Sequence, residues 1–173
     1  MIDKHENERG TKQGEQMKYE RETKDLLIKI KTSQSAQIPD LSAEPVELMT
    51  EAKRVKKNGA YYIIYEESEL SGTPGCITSI KIDDDEVRLR RFGTYAQEMR
   101  FKEGKPFVGL YDTPIGMVDM TINTHEVKNE LCNDGTGGRL FLDFNVSLKG
   151  LLEARNTMEI KIAPLKRKEK TIF

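Results

Sequence analysis

The sequence predicts an all-β protein, an antiparallel meander of about eight to ten strands that closes into a barrel. Apolar and polar residues alternate along most of the chain from Leu26 to Ile162, which is the period of a strand with one face in a core. Turn signals interrupt this alternation at short, regular spacing, as is typical of antiparallel sandwiches and barrels. A meander this long leaves two exposed edges unless it closes, so we expect a closed barrel.

The size and charge of the chain limit the classes of protein to consider. Its 173 residues fit one domain with an extension. No stretch of about 18 apolar residues predicts a membrane span, and residues 1–8 lack the apolar run of a secretory signal, so we expect a cytoplasmic protein. With 28 Lys and Arg against 29 Asp and Glu, the composition gives no strong signal for nucleic acid or for an anionic membrane.

The chain divides into three predicted parts. Residues 1–24 are polar without period, which predicts a disordered extension, because there is little apolar surface to offset the entropy of ordering. Met17 is an alternative start of translation within this extension. Residues 25–163 form the predicted barrel domain. Residues 164–173 are a short basic tail, which we expect to be a solvated end, with contact to RNA or to an anionic surface as the alternative.

The first three predicted strands follow the extension. Leu26–Thr32 alternates apolar residues with lysines. Val46–Lys56 is ambiguous because it also contains good helix formers. The dipeptide Asn58-Gly59 is the strongest short hairpin signal in the chain, since both residues tolerate the positive φ of a type I′ turn. It joins Val46–Lys56 to the aromatic, β-branched segment Tyr61–Glu66 and therefore favours a strand in both.

The remaining strands alternate in the same way, and polar turns separate them. They are predicted at Cys76–Ile82, Val87–Arg91, Tyr95–Phe101, Pro106–Tyr111, Gly116–Asn123, Val127–Leu131, Arg139–Leu148 and Met158–Ile162. The phase slips near Thr124-His125, which predicts a bulge or a corner. Asp83–Glu86 lacks the spacing of a calcium loop and predicts a solvated hairpin tip. Gly135–Gly138 precedes a strand and not a helix, which predicts a hairpin turn and no phosphate site.

Four short segments occur in a recognisable order, and they are Tyr65-Glu66-Glu67, Gly72, Arg91-Phe92-Gly93 and Thr113-Pro114-Ile115-Gly116. This ordered set resembles the YwiB-like family of uncharacterised bacterial proteins, and the resemblance spans about residues 25–162. It implies a calycin-like barrel, related in shape to lipocalins, with no established activity. Calycins as a group often hold a small ligand inside the barrel, although a shared fold is weak evidence of function. The long N-terminal extension departs from the family.

Arg91 is the leading candidate for a ligand-binding residue. Alternation places it on the inner face of its strand, where an arginine needs a carboxylate, carbonyl groups or an anionic ligand. Glu66, predicted to share the inner face of its strand with Tyr62, is the expected partner. Three interpretations stay open at this point. They are a structural Arg91–Glu66 bridge at the barrel mouth, an anion-binding site, and a slip of one residue that turns Arg91 outward.

The candidate ligand site contains six residues. They are Arg91, Glu66, Tyr62, Tyr95, Gln97 and Tyr111, with Thr78 on the same predicted inner surface. Together they would give an apolar cavity a few polar groups, as ligand sites commonly have. We therefore hypothesise a protein that binds a small, partly anionic or apolar molecule inside the barrel. The alternative is a structural or protein-interaction domain whose barrel is filled by side chains.

The sequence contains no constellation that supports catalysis. His125 is the only histidine of the predicted domain, and it lies at a break in the pattern without a nucleophile motif. We therefore predict no catalytic residues, no cofactor (haem included) and no metal, and we favour a protein that is not an enzyme. Cys76 and Cys132 form no CxxC pair and are expected to be separate reduced thiols packed as small hydrophobes. The oligomeric state is left open.

Overall fold

The computed structural model describes residues 22–36 and 43–167, which form ten strands and one short 3₁₀ helix. The strands are β1 (Thr23–Ala36), β2 (Ala43–Lys57), β3 (Ala60–Glu66), β4 (Ile77–Ile82), β5 (Val87–Phe92), β6 (Gln97–Phe101), β7 (Phe107–Thr113), β8 (Gly116–Leu131), β9 (Gly138–Leu148) and β10 (Leu152–Pro164). The 3₁₀ helix, Glu69–Ser71, lies between β3 and β4.

The strands form one antiparallel sheet in the order β6-β5-β4-β3-β2-β1-β10-β9-β8-β7. The first and the last strand lie side by side, and the edges of the sheet are β6 and β7, which are consecutive in the chain. Just after β6, Glu103 forms an isolated bridge with Thr124 of β8. The sheet therefore curves back on itself into a nearly closed barrel, which confirms the predicted fold class, and a seam without a strand ladder separates β6 from β7.

Two local predictions are confirmed in the strand register. The ambiguous segment is a strand, β2, and Asn58 and Gly59 turn the chain into β3 with φ of 51° and 76°. The register of β8 against β9 shifts between Thr124 and Glu126, so a bulge lies at His125. The extra residue lets the inner face continue in the opposite phase after the bulge.

The inner faces of the strands pack together along the barrel. The buried apolar side chains of this core are Leu26, Ile28, Ile30, Leu48, Ala52, Ile63, Tyr65, Ile80, Ile82, Val87, Leu89, Phe101, Met120, Ile122, Leu140, Leu142, Phe144, Ile160 and Ile162. The rings of Phe101 and Phe144 lie with their centroids 4.6 Å apart. Strand β7 adds the partly buried Phe107 and Tyr111. Side chains therefore pack through the middle of the barrel, and the polar sites lie at its ends.

One strand presents the face opposite to the prediction. In β3, Ile63 and Tyr65 are buried in the core, whereas Glu66 is exposed and Tyr62 lies opposite Lys81 on the outer surface. Placing Tyr62 and Glu66 inside the barrel was therefore wrong. The physical reason is that the segment from Tyr61 to Tyr65 is apolar at both odd and even positions, so alternation alone carries no phase.

The barrel extends slightly beyond its predicted limits. Thr23 and Lys24, predicted to belong to the N-terminal extension, lie in β1, because the backbone ladder with β2 continues past the last apolar residue. Leu165 donates its amide to the carbonyl of Asp25 at 3.1 Å, which ties the chain after β10 to β1. Residues 1–21 and 168–173, the rest of the predicted tails, lie outside the described residues. Within the described ranges, no helix has the length and apolar character of a membrane span.

Candidate ligand cleft at the barrel mouth

Arg91 and Glu67 form an ion pair at one end of the barrel. Arg91 lies in β5 in the same phase as the buried Leu89, and its side chain is 20% exposed. Glu67 follows β3, and its side chain is 2% exposed. The Nε atom of Arg91 lies 3.6 Å from Oε1 of Glu67. The inward orientation predicted for Arg91 is therefore observed, but its partner is Glu67, and the expected pairing with Glu66 was wrong.

Neighbouring groups hold the Glu67 carboxylate in place. The hydroxyl of Thr78 donates to Oε1 at 2.5 Å, and the amide of Glu67 donates to the carbonyl of Cys76 at 2.8 Å. Burial raises the pKa of Tyr65 above its ordinary value, and the negative charge of Glu67 raises it further. Tyr65 therefore keeps its proton, and it completes a buried polar cluster with Thr78, Glu67 and Arg91.

Arg91 is only partly satisfied by this cluster. Its Nη1 donates to Oε1 of Gln97 at 3.3 Å, and Nε2 of Gln97 lies 3.6 Å from the sulfur of Met120. Its Nε is too far from Glu67 for a hydrogen bond. Among the described residues, the buried Nε of Arg91 and the buried hydroxyl oxygen of Thr73 have no hydrogen-bond partner. Buried polar atoms are rarely left in this state, so both are candidates to contact a ligand or water.

A small cleft is lined by both residues, Thr73 and Arg91. Its volume is about 70 Å³, which is the space of about two water molecules. The lining residues are Thr73, Arg91, Tyr95, Ala96, Gln97, Tyr111 and Asp112. Tyr95 is 52% exposed, so the cleft opens to solvent beside an aromatic ring.

The structure brings together four of the six predicted site residues. Arg91, Tyr95, Gln97 and Tyr111 line the cleft. Tyr62 and Glu66 do not, because β3 presents them to the outer surface. Thr78, also predicted to face inward, is buried and contributes by holding Glu67.

Sequence reasoning missed Glu67, Thr73 and Asp112. Glu67 follows directly on the odd-numbered inner face of β3, so the correct strand phase would have found it. Thr73 lies in the loop between β3 and β4, and Asp112 lies near the end of β7, across the seam from β6. Periodicity carries no signal for either, because Thr73 lies in a loop and Asp112 comes to Arg91 only through the closure of the barrel.

A second buried cation, Arg54, lies near the opposite end of the barrel. Its side chain is 1% exposed, and Nη2 lies 3.0 Å from Oε1 of Glu22. The guanidinium carbon is 5.4 Å from the centroid of the Tyr61 ring. Within the described ranges, the Nε of Arg54 has no hydrogen-bond partner. The prediction overlooked this residue, although the alternation through Ala52 continues to it and places it inward.

The turn between β8 and β9 contains the exposed cysteine. Cys132 donates its thiol to Oδ1 of Asp134 at 3.1 Å. Hydrogen bonds from Thr136 and Cys132 lower the pKa of Asp134 to about 2. The predicted hairpin turn at Gly135–Gly138 is confirmed, since β9 begins at Gly138. Both cysteines are free, as expected, but only Cys76 is buried, so the prediction of a packed thiol was wrong for Cys132.

The remaining candidate motifs are engaged in local contacts. His125 is exposed at the bulge, and its Nε2 lies 3.0 Å from Oδ1 of Asn145. In the acidic turn, Asp85 pairs with Lys102 at 2.6 Å, and Asp83 pairs with Lys81 at 3.0 Å. In residues 22–36 and 43–167, no three or more His, Cys, Asp or Glu side chains come together in a group that could hold a metal ion.

The family described as a domain of unknown function, DUF1934, matches residues 28–160 of this chain. The chain belongs to the DUF1934 family. The match to DUF1934 runs from β1 into β10 and so covers the barrel.

A comparison of sequences and a comparison of structures both match the YwiB protein of Bacillus subtilis. The chain is 26% identical over 106 residues to the uncharacterised β-barrel protein YwiB of Bacillus subtilis (strain 168), covering 61% of this chain and 71% of that protein. It also resembles the crystal structure of the YwiB protein from Bacillus subtilis, with a TM-score of 0.64 and 16% identity over 83% of this chain and 94% of that one. The YwiB-like resemblance expected from the sequence is therefore confirmed, and the structural likeness shows the same fold.

Proposed function

We propose that this protein binds a small molecule whose partly anionic group enters the cleft beside Arg91. The observation that carries the proposal is the pair of unsatisfied buried atoms, the Nε of Arg91 and the hydroxyl of Thr73, on residues that line one cleft within the described chain. A carboxylate or phosphate oxygen would accept a hydrogen bond from both donors, and hydrogen bonds to charged groups are stronger than those between neutral groups.

The dimensions of the cleft restrict which part of a ligand fits. A space of about 70 Å³ accepts a head group, so the rest of the molecule would extend past the exposed ring of Tyr95. The proposed site therefore lies at the barrel mouth, whereas the sequence hypothesis placed it in the barrel interior. Glu67 already balances part of the charge of Arg91, so we expect weak binding of a bare anion and tighter binding of a ligand that also contacts Tyr95 and Tyr111.

The site is tested with acetate and inorganic phosphate as probes. Amide chemical shifts of the ¹⁵N-labelled protein are followed while each probe is titrated at constant ionic strength. We expect the largest shifts at Thr73, Arg91 and Gln97, and we expect Arg91→Gln to abolish them. Arg155→Gln is the matched control, because Arg155 also pairs with a carboxylate, Asp143, but lies on the exposed outer surface. Equal shifts in both variants would overturn the site.

A structural or protein-interaction domain without a ligand is the second candidate. It is favoured by the packed core and by exposed apolar side chains on and near the β7–β8 hairpin, where Val108 is 68% and Ile115 78% exposed. Native mass spectrometry of gently purified protein separates the candidates. A bare mass in repeated preparations, together with no response to acetate or phosphate, would favour the second.

The proposal also includes a cellular location and a structural class for the barrel. We place the protein in the cytoplasm, which the two free cysteines support, because an exposed thiol such as Cys132 persists in a reducing compartment. The nearly closed meander barrel supports a calycin-like classification. Cell fractionation with an antibody against the protein tests the location, and recovery in an exported fraction would contradict it.

A further inference from the structure

A cluster of cations lies on the outer surface of β4, β5 and β6. Its members, which we call the basic face, are Lys81, Arg88, Arg90 and Arg100. Across the outward positions of these three fully described strands, the only carboxylate is that of Glu98. The basic face therefore has a local excess of positive charge in a chain whose net charge is −1. The overall composition of a chain does not reveal such a local excess of positive charge.

The strand register places these cations directly opposite one another. Lys81 pairs with Arg88, and Arg88 pairs with Arg100, so three positive side chains form a row across three strands. Like charges directly opposite in a sheet are destabilising. The side chains of the row point away from the core, so the packing of the barrel does not require them, and their mutual repulsion has to be offset by neighbouring carboxylates.

The carboxylate of Glu98 interacts with three guanidinium groups on the basic face. Glu98 accepts hydrogen bonds from Nε of Arg90 at 2.8 Å and from Nε of Arg100 at 2.6 Å, and Nε of Arg88 lies 3.9 Å away. Partial burial acts to raise the pKa of Glu98, but the hydrogen bonds from Arg90 and Arg100 outweigh it and lower the pKa. Several donors converging on one anion is also how arginines bind a phosphate.

Acidic residues limit the basic face on one side. Glu86 lies 3.4 Å from Arg88, and Asp83 lies 3.0 Å from Lys81, both near the turn between β4 and β5. Arg90, whose side chain is 51% exposed, points to solvent on the side away from this turn. The excess charge is therefore concentrated around Arg90 and Arg100, which share the single carboxylate of Glu98.

The exposed ring of Phe92 and the partly buried ring of Tyr62 border the basic face. Phe92, two residues after Arg90 on the same outer face, is 52% exposed and lies opposite Ile77, which is 48% exposed. Tyr62 lies opposite Lys81 at the other side. Aromatic rings on the surface of a sheet beside arginines are the arrangement on which unpaired bases stack.

We propose that the basic face binds single-stranded nucleic acid. Arg90 and Arg100 contact backbone phosphates, Lys81 and Arg88 add positive charge, and a base stacks on Phe92. Three of the four cations are arginines, which pair with phosphate through two parallel hydrogen bonds. The exposed ring of Phe92 beside the arginines favours nucleic acid over an acidic protein or an anionic membrane, because every nucleotide of a strand carries a planar base next to a phosphate. The site lies on the opposite side of the sheet from the Arg91 cleft and is independent of it.

The experiment measures the binding of a fluorescein-labelled oligouridine to the full chain by fluorescence anisotropy at several salt concentrations. A length of about 10 nucleotides lies within the range covered by small single-strand-binding domains. With two phosphate contacts, we expect the logarithm of the binding constant to fall with the logarithm of salt at a slope of about −1.4, and a slope close to zero for Arg90→Gln/Arg100→Gln. Phe92→Ala should weaken binding about five-fold or more without changing the slope.

Two variants serve as matched controls. Arg155→Gln removes an exposed arginine from the outer face of β10, and Leu110→Ala removes an exposed apolar side chain from β7. Both should bind like the unmodified chain. Circular dichroism checks the fold of every variant. If Arg90→Gln/Arg100→Gln does not fold, the binding measured for Phe92→Ala tests the proposal by itself. Phe92 is exposed, and its loss leaves the ion pairs of Glu98 intact.

Three results would overturn the proposal. The first is no binding of oligouridine at low ionic strength. The second is unchanged binding in Phe92→Ala. The third is binding to polyglutamate or to phosphatidylglycerol vesicles that is as tight as binding to oligouridine, since this would identify an acidic protein or a membrane as the partner. Weak, salt-dependent binding to oligouridine that both arginine and phenylalanine variants reduce would support it.

Discussion

The carboxylate of Glu67 lies 3.6 Å from Nε of Arg91, and the hydroxyl of Thr78 donates to the same carboxylate at 2.5 Å. The pair joins the residue after β3 to the inner face of β5 at the barrel mouth. Because Glu67 is almost fully buried, the carboxylate depends on these two partners for its stability. This relationship makes Glu67 the structural support of the candidate cleft.

Glu67→Gln should destabilise the protein by about 1–3 kcal/mol, because it leaves the partly buried Arg91 without a counter-charge. Glu66→Gln should change the free energy of unfolding by no more than about 0.5 kcal/mol, as is usual for an exposed position. Urea unfolding followed by circular dichroism measures both. A larger effect at Glu66 than at Glu67 would contradict the observed partner of Arg91.

Arg54 predicts a contrast between two substitutions. Arg54→Ala leaves a cavity beside Tyr61 and should cost about 2–4 kcal/mol. Arg54→Met preserves most of the side-chain volume and removes the buried Nε, which has no hydrogen-bond partner in the described chain. It should therefore lower the free energy of unfolding by less than about 1.5 kcal/mol. Lys53→Ala, at the exposed neighbouring position, is the control. If methionine proved as harmful as alanine, the charge of Arg54 and not its volume would matter.

The turn between β8 and β9 should lose stability in acid. The pKa of Asp134 is lowered to about 2 from its ordinary value of 3.8, so its ionised form is stabilised by folding. This contribution is fully present above about pH 4, decreases as the pH falls, and is absent below about pH 2. The difference in melting temperature between the unmodified chain and Asp134→Asn should follow that course. A difference independent of pH would show that the charge is irrelevant.

The bulge at His125 predicts an asymmetry between two deletions. Removing His125 restores regular alternation, because Thr124 and Val127 keep their inward phase once the extra residue is gone. Removing Asn145 from the regular strand β9 moves the following apolar residues to the outer face. We therefore expect soluble, folded protein from the first deletion and aggregation from the second. Sedimentation and near-ultraviolet circular dichroism distinguish these outcomes.

Most of the barrel could be predicted from alternation, and the exceptions have physical reasons. In β9, apolar and polar residues alternate with the exception of Phe141, so Leu140, Leu142 and Phe144 were placed inward correctly. In β3, both faces are apolar enough to be buried, and only pairing with β4 decides between them. The same error of phase led to the prediction of Glu66 as the partner of Arg91, where the structure has Glu67.

The sequence by itself determined the strand positions, the bulge and the inward orientation of Arg91, because a period of two is a local property of the chain. Only the tertiary structure decided which residues meet Arg91, since Thr73 reaches it from the loop before the neighbouring strand β4 and Asp112 reaches it through closure across the seam between β6 and β7. The tertiary structure also decided the basic face, because pairing between strands places Lys81, Arg88 and Arg100 side by side although turns separate them along the chain. Neighbours across a sheet follow from register, and register depends on the whole fold.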